Sequence, residues 1–75
     1  MNQQNNFAKR LKEERFHAGF TQKQVAEHLG IATDTYKGYE SQGAVRHRDP
    51  SFETLVKLAI LFNTTTDYLL GKDEV

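Results

Sequence analysis

The side chains of this 75-residue chain that could do chemistry are suited to binding rather than to breaking bonds. His17, His28 and His47 do not fall at the spacing of metal ligands. Ser41 and Ser51 have no positioned base or acid that the sequence can show. Glu13-Glu14 sits beside Lys9, Arg10 and Lys12, the pattern of a solvated helix face. There is no glycine-rich loop that could cradle a phosphate. An enzyme is therefore not expected, and neither a cofactor nor a metal is. What remains is a set of hydrogen-bonding and cationic groups: the amide of Gln22, the run Thr33-Asp34-Thr35 with Lys37 and Gly38, and the cluster Arg46-His47-Arg48. Donors and cations in such number suit a partner rich in anionic acceptors.

Five helical segments must position these groups. Apolar spacing places a first helix at about Phe7–Ala18, with Phe7, Leu11 and Ala18 on one stripe and Arg15 on the same side. Asn5 or Asn6 can cap it, and Gly19 ends it. Thr21-Gln22-Lys23-Gln24 matches a capping box and opens a second helix, which buries Val25, Ala26 and Leu29 and stops at Gly30. A third helix over Thr33–Glu40 carries Tyr36 and Tyr39 as its buried stripe. Its outward positions are Thr33, Asp34, Lys37 and Gly38. A polar stretch then runs to Pro50. Ser51 can cap a fourth helix of about Phe52–Phe62, with Phe52, Leu55, Leu58, Ala59 and Phe62 facing inward. Thr65 can cap a short fifth helix with Asp67 in its first turn, ended by Gly71. Residues 1–6 read as a disordered polar leader, 7–71 as one domain and 72–75 as a frayed tail.

Composition bounds the rest. A chain this short has one small core, so each packing position matters. It has no cysteine, which fits a reducing cytoplasm, the compartment expected here. The longest apolar run, Leu58–Phe62, is too short to span a bilayer. The first six residues lack the basic and apolar regions of a signal peptide. The net charge is zero, but its distribution is uneven. Residues 1–48 hold eight Lys/Arg against five Asp/Glu, and residues 49–75 hold two against five, giving +3 and −3. A chain so divided can present one basic face to phosphate despite a neutral sum.

The stretch from Gln22 to Glu40 is the most informative. A small residue, Ala26, lies within one short helix, Gly30 follows four residues on, and Ile31 comes next. Two helices that cross steeply at a tight turn leave little room, so Ala26 lets the backbones approach and Gly30 permits the turn. Ile31, Tyr36 and Tyr39 then plug the second of these helices onto the rest of the domain. The third helix is left proud of the surface, where it can enter a major groove.

With these residues the chain resembles the Xre family of helix-turn-helix regulators, which includes the phage Cro and phage repressor DNA-binding domains. The likeness is carried by Arg10-Leu11-Lys12-Glu13, by Gly19 through Ile31, by Thr35-Tyr36 with Tyr39-Glu40, by Pro50 through Leu55 and by Thr66 through Gly71. No single motif is decisive, but their order and spacing together are specific, over residues 8–71. The resemblance implies an all-α, five-helix, lambda repressor-like fold. It also implies a transcriptional regulator, a repressor in this reading, that binds a palindromic double-stranded DNA operator as a homodimer.

Residue by residue, Gln22 holds the position at which family members contact the DNA backbone, although a solvent-exposed helix-start residue would look the same. Thr33, Asp34, Thr35, Lys37 and Gly38 fall where the family reads bases. Asp34 could accept from a cytosine amino group, Thr33 could meet a thymine methyl, Lys37 could reach guanine or phosphate, and Gly38 would allow close backbone approach. The alternative is that Thr33 is only a helix cap and Asp34 a first-turn acid. The loop with Arg46, His47 and Arg48 is longer than the family's and offers phosphate clamps, or else a solvated basic loop. Arg15 and Glu40 match positions that form a partly buried ion pair in relatives, which implies a structural bridge from the first helix to the end of the third. A second reading, a protein-interaction module such as an antitoxin or adaptor, is favoured by Asp34, Gly38 and the neutral charge.

Overall fold

The structure, a computed structural model, describes residues 3–43 and 45–71. Five helices follow in order: α1 (Gln3–Ala18), α2 (Gln22–Leu29), α3 (Thr33–Glu40), α4 (Phe52–Leu61) and α5 (Thr66–Leu69). There is no strand among the described residues. No helix among them is long and apolar enough to cross a membrane.

The helix ends follow from local chemistry. Thr21 accepts from the Gln24 amide at 3.0 Å while the Gln24 side chain accepts from the Thr21 amide at 2.8 Å, so the expected capping box is formed. Gly30 closes α2 at φ +71°, and the Ile31 amide donates back to the Ala26 carbonyl at 3.0 Å. That left-handed residue reverses the chain within three residues, which a side chain would resist. Ser51 and Thr65 cap α4 and α5 through the amides of Thr54 and Tyr68. Asn63, at φ +55°, does at the end of α4 what glycine does elsewhere, a role the composition of the loop did not announce.

α3 packs on both α2 and α1, α4 packs on α2, and α5 is held by α1 and α4. Phe7, Leu11, Val25, Ala26, Tyr36, Tyr39, Leu55, Leu58, Ala59, Phe62 and Leu69 form one core, with Phe20, Leu29 and Ile31 against its edge.

Four expectations change. α1 begins at Gln3 rather than Phe7, because no proline or glycine in that stretch breaks the helix. Asn5 and Asn6 therefore lie inside the helix and do not cap it, and the expected leader shrinks to residues outside those described. Ala18 is exposed, since the last residue of α1 has run past the core. Phe52 is 77% exposed, because the inward stripe of α4 starts one turn later at Leu55. The tail at 72–75 lies outside the described residues.

Candidate nucleic-acid interface

The angle of α3 is held by a buried polar cluster. Arg15 on α1 donates to Glu40 through Nε at 2.7 Å and Nη2 at 3.1 Å. Both residues are 7% exposed. Arg15 also donates from Nη1 to the Phe20 carbonyl, so one guanidinium ties α1, the α1–α2 turn and α3. The Tyr36 hydroxyl donates to Glu40 Oε2 at 2.5 Å, and the Gln22 amide nitrogen donates to Glu40 Oε1 at 3.1 Å. The carboxylate thus accepts from three side chains, which is what a charge taken out of water requires. The hydrogen bond with Glu40 holds the Arg15 guanidinium above its ordinary pKa, against the opposing effect of burial. Burial, and then the bond to Glu40, pushes the Tyr36 hydroxyl far above its ordinary value.

Gln22 is therefore not a simple surface residue. It is half-buried, and its amide links the first turn of α2 to the last residue of α3. A primary amide has two hydrogens, so one remains for an outside acceptor.

On the outer side of α3, Asp34 and Lys37 are exposed, and Thr33 and Thr35 are half-buried. α3 starts at Thr33 with Ala32 as its N-cap residue, and no side chain caps it. Thr33 is thus the first helical residue, not the cap. Asp34 lies in the first turn, where a carboxylate suits the helix dipole.

The loop after α3 folds back onto this face. The amides of Arg46 and His47 both donate to the Gly43 carbonyl, closing a turn. The Arg48 amide then donates to the Gly38 carbonyl at 2.9 Å, so the loop is pinned to α3 by backbone. Asp34, Lys37, Gly38, Ser41, Val45, Arg46, His47 and Arg48 line one open groove of about 680 Å³. Ser41 and Val45 were not among the expected site residues. Val45 is 98% exposed, an apolar side chain at the rim that only the path of the loop brings there.

Two of the expected site residues are engaged within the protein itself. His47 does not stand free as a phosphate clamp. Its Nδ1 lies 2.9 Å from the Ser41 carbonyl, its Nε2 lies 2.8 Å from Asp49 Oδ1, and its ring meets Phe7 edge-on. Both ring nitrogens are spent on holding the loop. Gly38 is not an open approach point either. It is buried beneath the aliphatic stem of Arg48.

Comparison with known proteins agrees with this geometry. A family model described as a helix-turn-helix domain matches residues 8–75. The HTH-type transcriptional regulator ImmR of Bacillus subtilis (strain 168) is 54% identical over 67 residues, covering 89% of this chain and 50% of that protein. The HTH-type transcriptional regulator AnsR of the same organism is 46% identical over 65 residues, covering 87% of this chain and 53% of its own length. An SPbeta prophage-derived uncharacterized HTH-type transcriptional regulator, YonR, is 36% identical over 64 residues, with 85% and 56% covered. The chain spans about half the length of the curated relatives it matches. With α2, the Gly30 turn and α3 in the arrangement described, this chain belongs to the helix-turn-helix domain family, of the Xre type.

Proposed function

We propose that the chain is a sequence-specific double-stranded DNA-binding transcriptional regulator that places α3 in the major groove. The observation that carries this reading is the single groove beside α3 onto which Asp34, Lys37, Arg46 and Arg48 converge. Cations from a helix and from the loop that follows it can meet base edges and phosphates together. Thr33 and Asp34 read bases, while Gln22, Lys37 and Arg46 hold the sugar-phosphate backbone. Gln22 is oriented for this by its bond to Glu40. The names of the relatives support regulation of transcription. Repression of a palindromic operator by a homodimer completes the reading, because one recognition helix touches few base pairs and two-fold pairing multiplies its specificity.

Titration against random duplex DNA at low and moderate salt tests the core of it. Affinity should fall steeply as salt rises, through release of counterions from the contacted phosphates. Absence of binding at low salt would sink the proposal. Selection from a random pool then reports the operator, its symmetry and its half-site spacing. The exposed carboxylate of Asp34 in the groove is the observation that favours the second reading, a protein partner with basic groups. That reading predicts no salt-dependent DNA binding.

A further inference from the structure

Glycine in the middle of an eight-residue helix is costly, because it gives up more backbone freedom than any other residue. Gly38 occupies such a place, and its backbone is ordinary helix, so no positive φ calls for it. What calls for it is a neighbour. A Cβ on residue 38 would lie 2.8 Å from Arg48 Cδ, 2.9 Å from Arg48 Cγ and 3.2 Å from Arg48 Cβ. The stem of Arg48 lies in the space that a side chain of α3 would fill. Its backbone is anchored at the same residue, amide to Gly38 carbonyl, so stem and backbone are fixed together. Arg48 is nonetheless exposed overall, and among the described residues its guanidinium has no hydrogen bond or ion pair.

We infer that Arg48 is a specificity-determining residue of the interface: the loop lends α3 an arginine at the position Gly38 leaves empty, and that arginine reads a guanine. This rests on the DNA-binding reading above. The groove residues of α3 itself are Asp34, Lys37 and Gly38, so the helix brings no guanidinium of its own. A guanidinium is the group that matches the paired O6 and N7 acceptors of guanine. It needs a fixed approach to do so, and a stem clamped over a glycine provides one. A freely moving loop arginine would find phosphate instead.

The experiment is a double-mutant cycle on the operator selected by the wild-type chain, using Gly38→Ala, Arg48→Ala and the pair, with thermal melting of each protein. Each single change should weaken operator binding about tenfold, and the pair should lose about the same tenfold rather than the product. The melting temperature of Gly38→Ala reports the cost of displacing the Arg48 stem, set against the better helix propensity of alanine. Selection with Arg48→Ala should lose a guanine preference at one base pair of each half-site. Losses that multiply, or Gly38→Ala binding like wild type, would overturn the inference. So would an Arg48→Ala protein that binds all sequences uniformly less well with a shallower salt dependence, the mark of a phosphate contact. A wild-type chain that binds no duplex would overturn the DNA-binding reading itself, which separates the two failures. Arg48→Ala alters only an exposed side chain, so its arm stands whether or not Gly38→Ala folds.

Discussion

The guanidinium of Arg15 and the carboxylate of Glu40, 25 residues apart in the chain, meet through two hydrogen bonds of 2.7 and 3.1 Å inside the domain. Arg15 stands on the last turn of α1 and Glu40 is the last residue of α3. The pair therefore sets how α3 lies across the molecule, and with it everything α3 presents. Its value is geometric, since replacing a buried pair by apolar groups can be neutral, whereas removing one partner strands a charge.

Arg15→Met should do the stranding. Glu40 would keep Tyr36 and Gln22 but lose its only cation among the described residues. The expected cost is about 3 kcal/mol. In a domain of this size that lowers the melting temperature by roughly 10 °C or more, read by circular dichroism. An unchanged melting temperature would show that the bridge does not hold the fold.

Alkaline pH should attack the same cluster. The Tyr36 hydroxyl has its pKa raised above the ordinary 10.0 in the folded chain, first by burial and then by its bond to Glu40. The folded state therefore keeps this proton when the unfolded state has lost it. Stability from this group is fully present below the unfolded value and falls as pH rises above about 10. Tyr36→Phe should cost about 1 kcal/mol at neutral pH and make the alkaline loss shallower. Urea denaturation at several pH values between neutral and about 11 measures both, and parallel curves for the two proteins would contradict the assignment.

Gly30→Ala should destabilise, for a backbone reason that does not apply at Gly38. Nothing lies within 4 Å of a Cβ at residue 30, so there is no clash. The cost is the φ of +71°, which an L side chain resists by roughly 1–2 kcal/mol. The urea midpoint should fall with an unchanged slope. A midpoint equal to wild type would mean the turn adopts another shape.

Lys37→Ala and Arg46→Ala address the DNA-binding reading directly. Each should weaken binding to duplexes of any sequence and reduce the salt dependence by about one ion. Loss of sequence preference with the salt dependence intact would instead assign that residue to a base edge. No change in either quantity would remove it from the interface.

Much of the fold was legible in the sequence because it is written in short-range chemistry. The box at Thr21 and Gln24, the stop at Gly30 and the caps at Ser51 and Thr65 depend on neighbours three or four residues away. The core stripe of Leu55, Leu58, Ala59 and Phe62 follows from helical spacing. The ion pair of Arg15 with Glu40 was expected only through resemblance, and the structure forms it. Periodicity failed at ends, where it counts a residue as inward without knowing where the core stops. Phe52 and Ala18 are the cases.

The site was less legible, because its parts come together across the chain. For Gln22 the resemblance implies a DNA-backbone contact, and only the tertiary structure brings Glu40 within reach of its amide. In the sequence His47 is a candidate phosphate clamp, and only the loop's path sets Ser41, Asp49 and Phe7 around its ring. Gly38 is the clearest case. By itself a glycine reports only that a side chain is missing. What fills the space arrives from ten residues along, on a loop with no periodicity to extrapolate, held by one backbone hydrogen bond. Local propensity therefore determined where α2 to α5 begin, though not where α1 does, and that α3 would stand on α2. Which side chains share the groove beside α3 was decided by long-range packing, because no neighbour in the sequence specifies it.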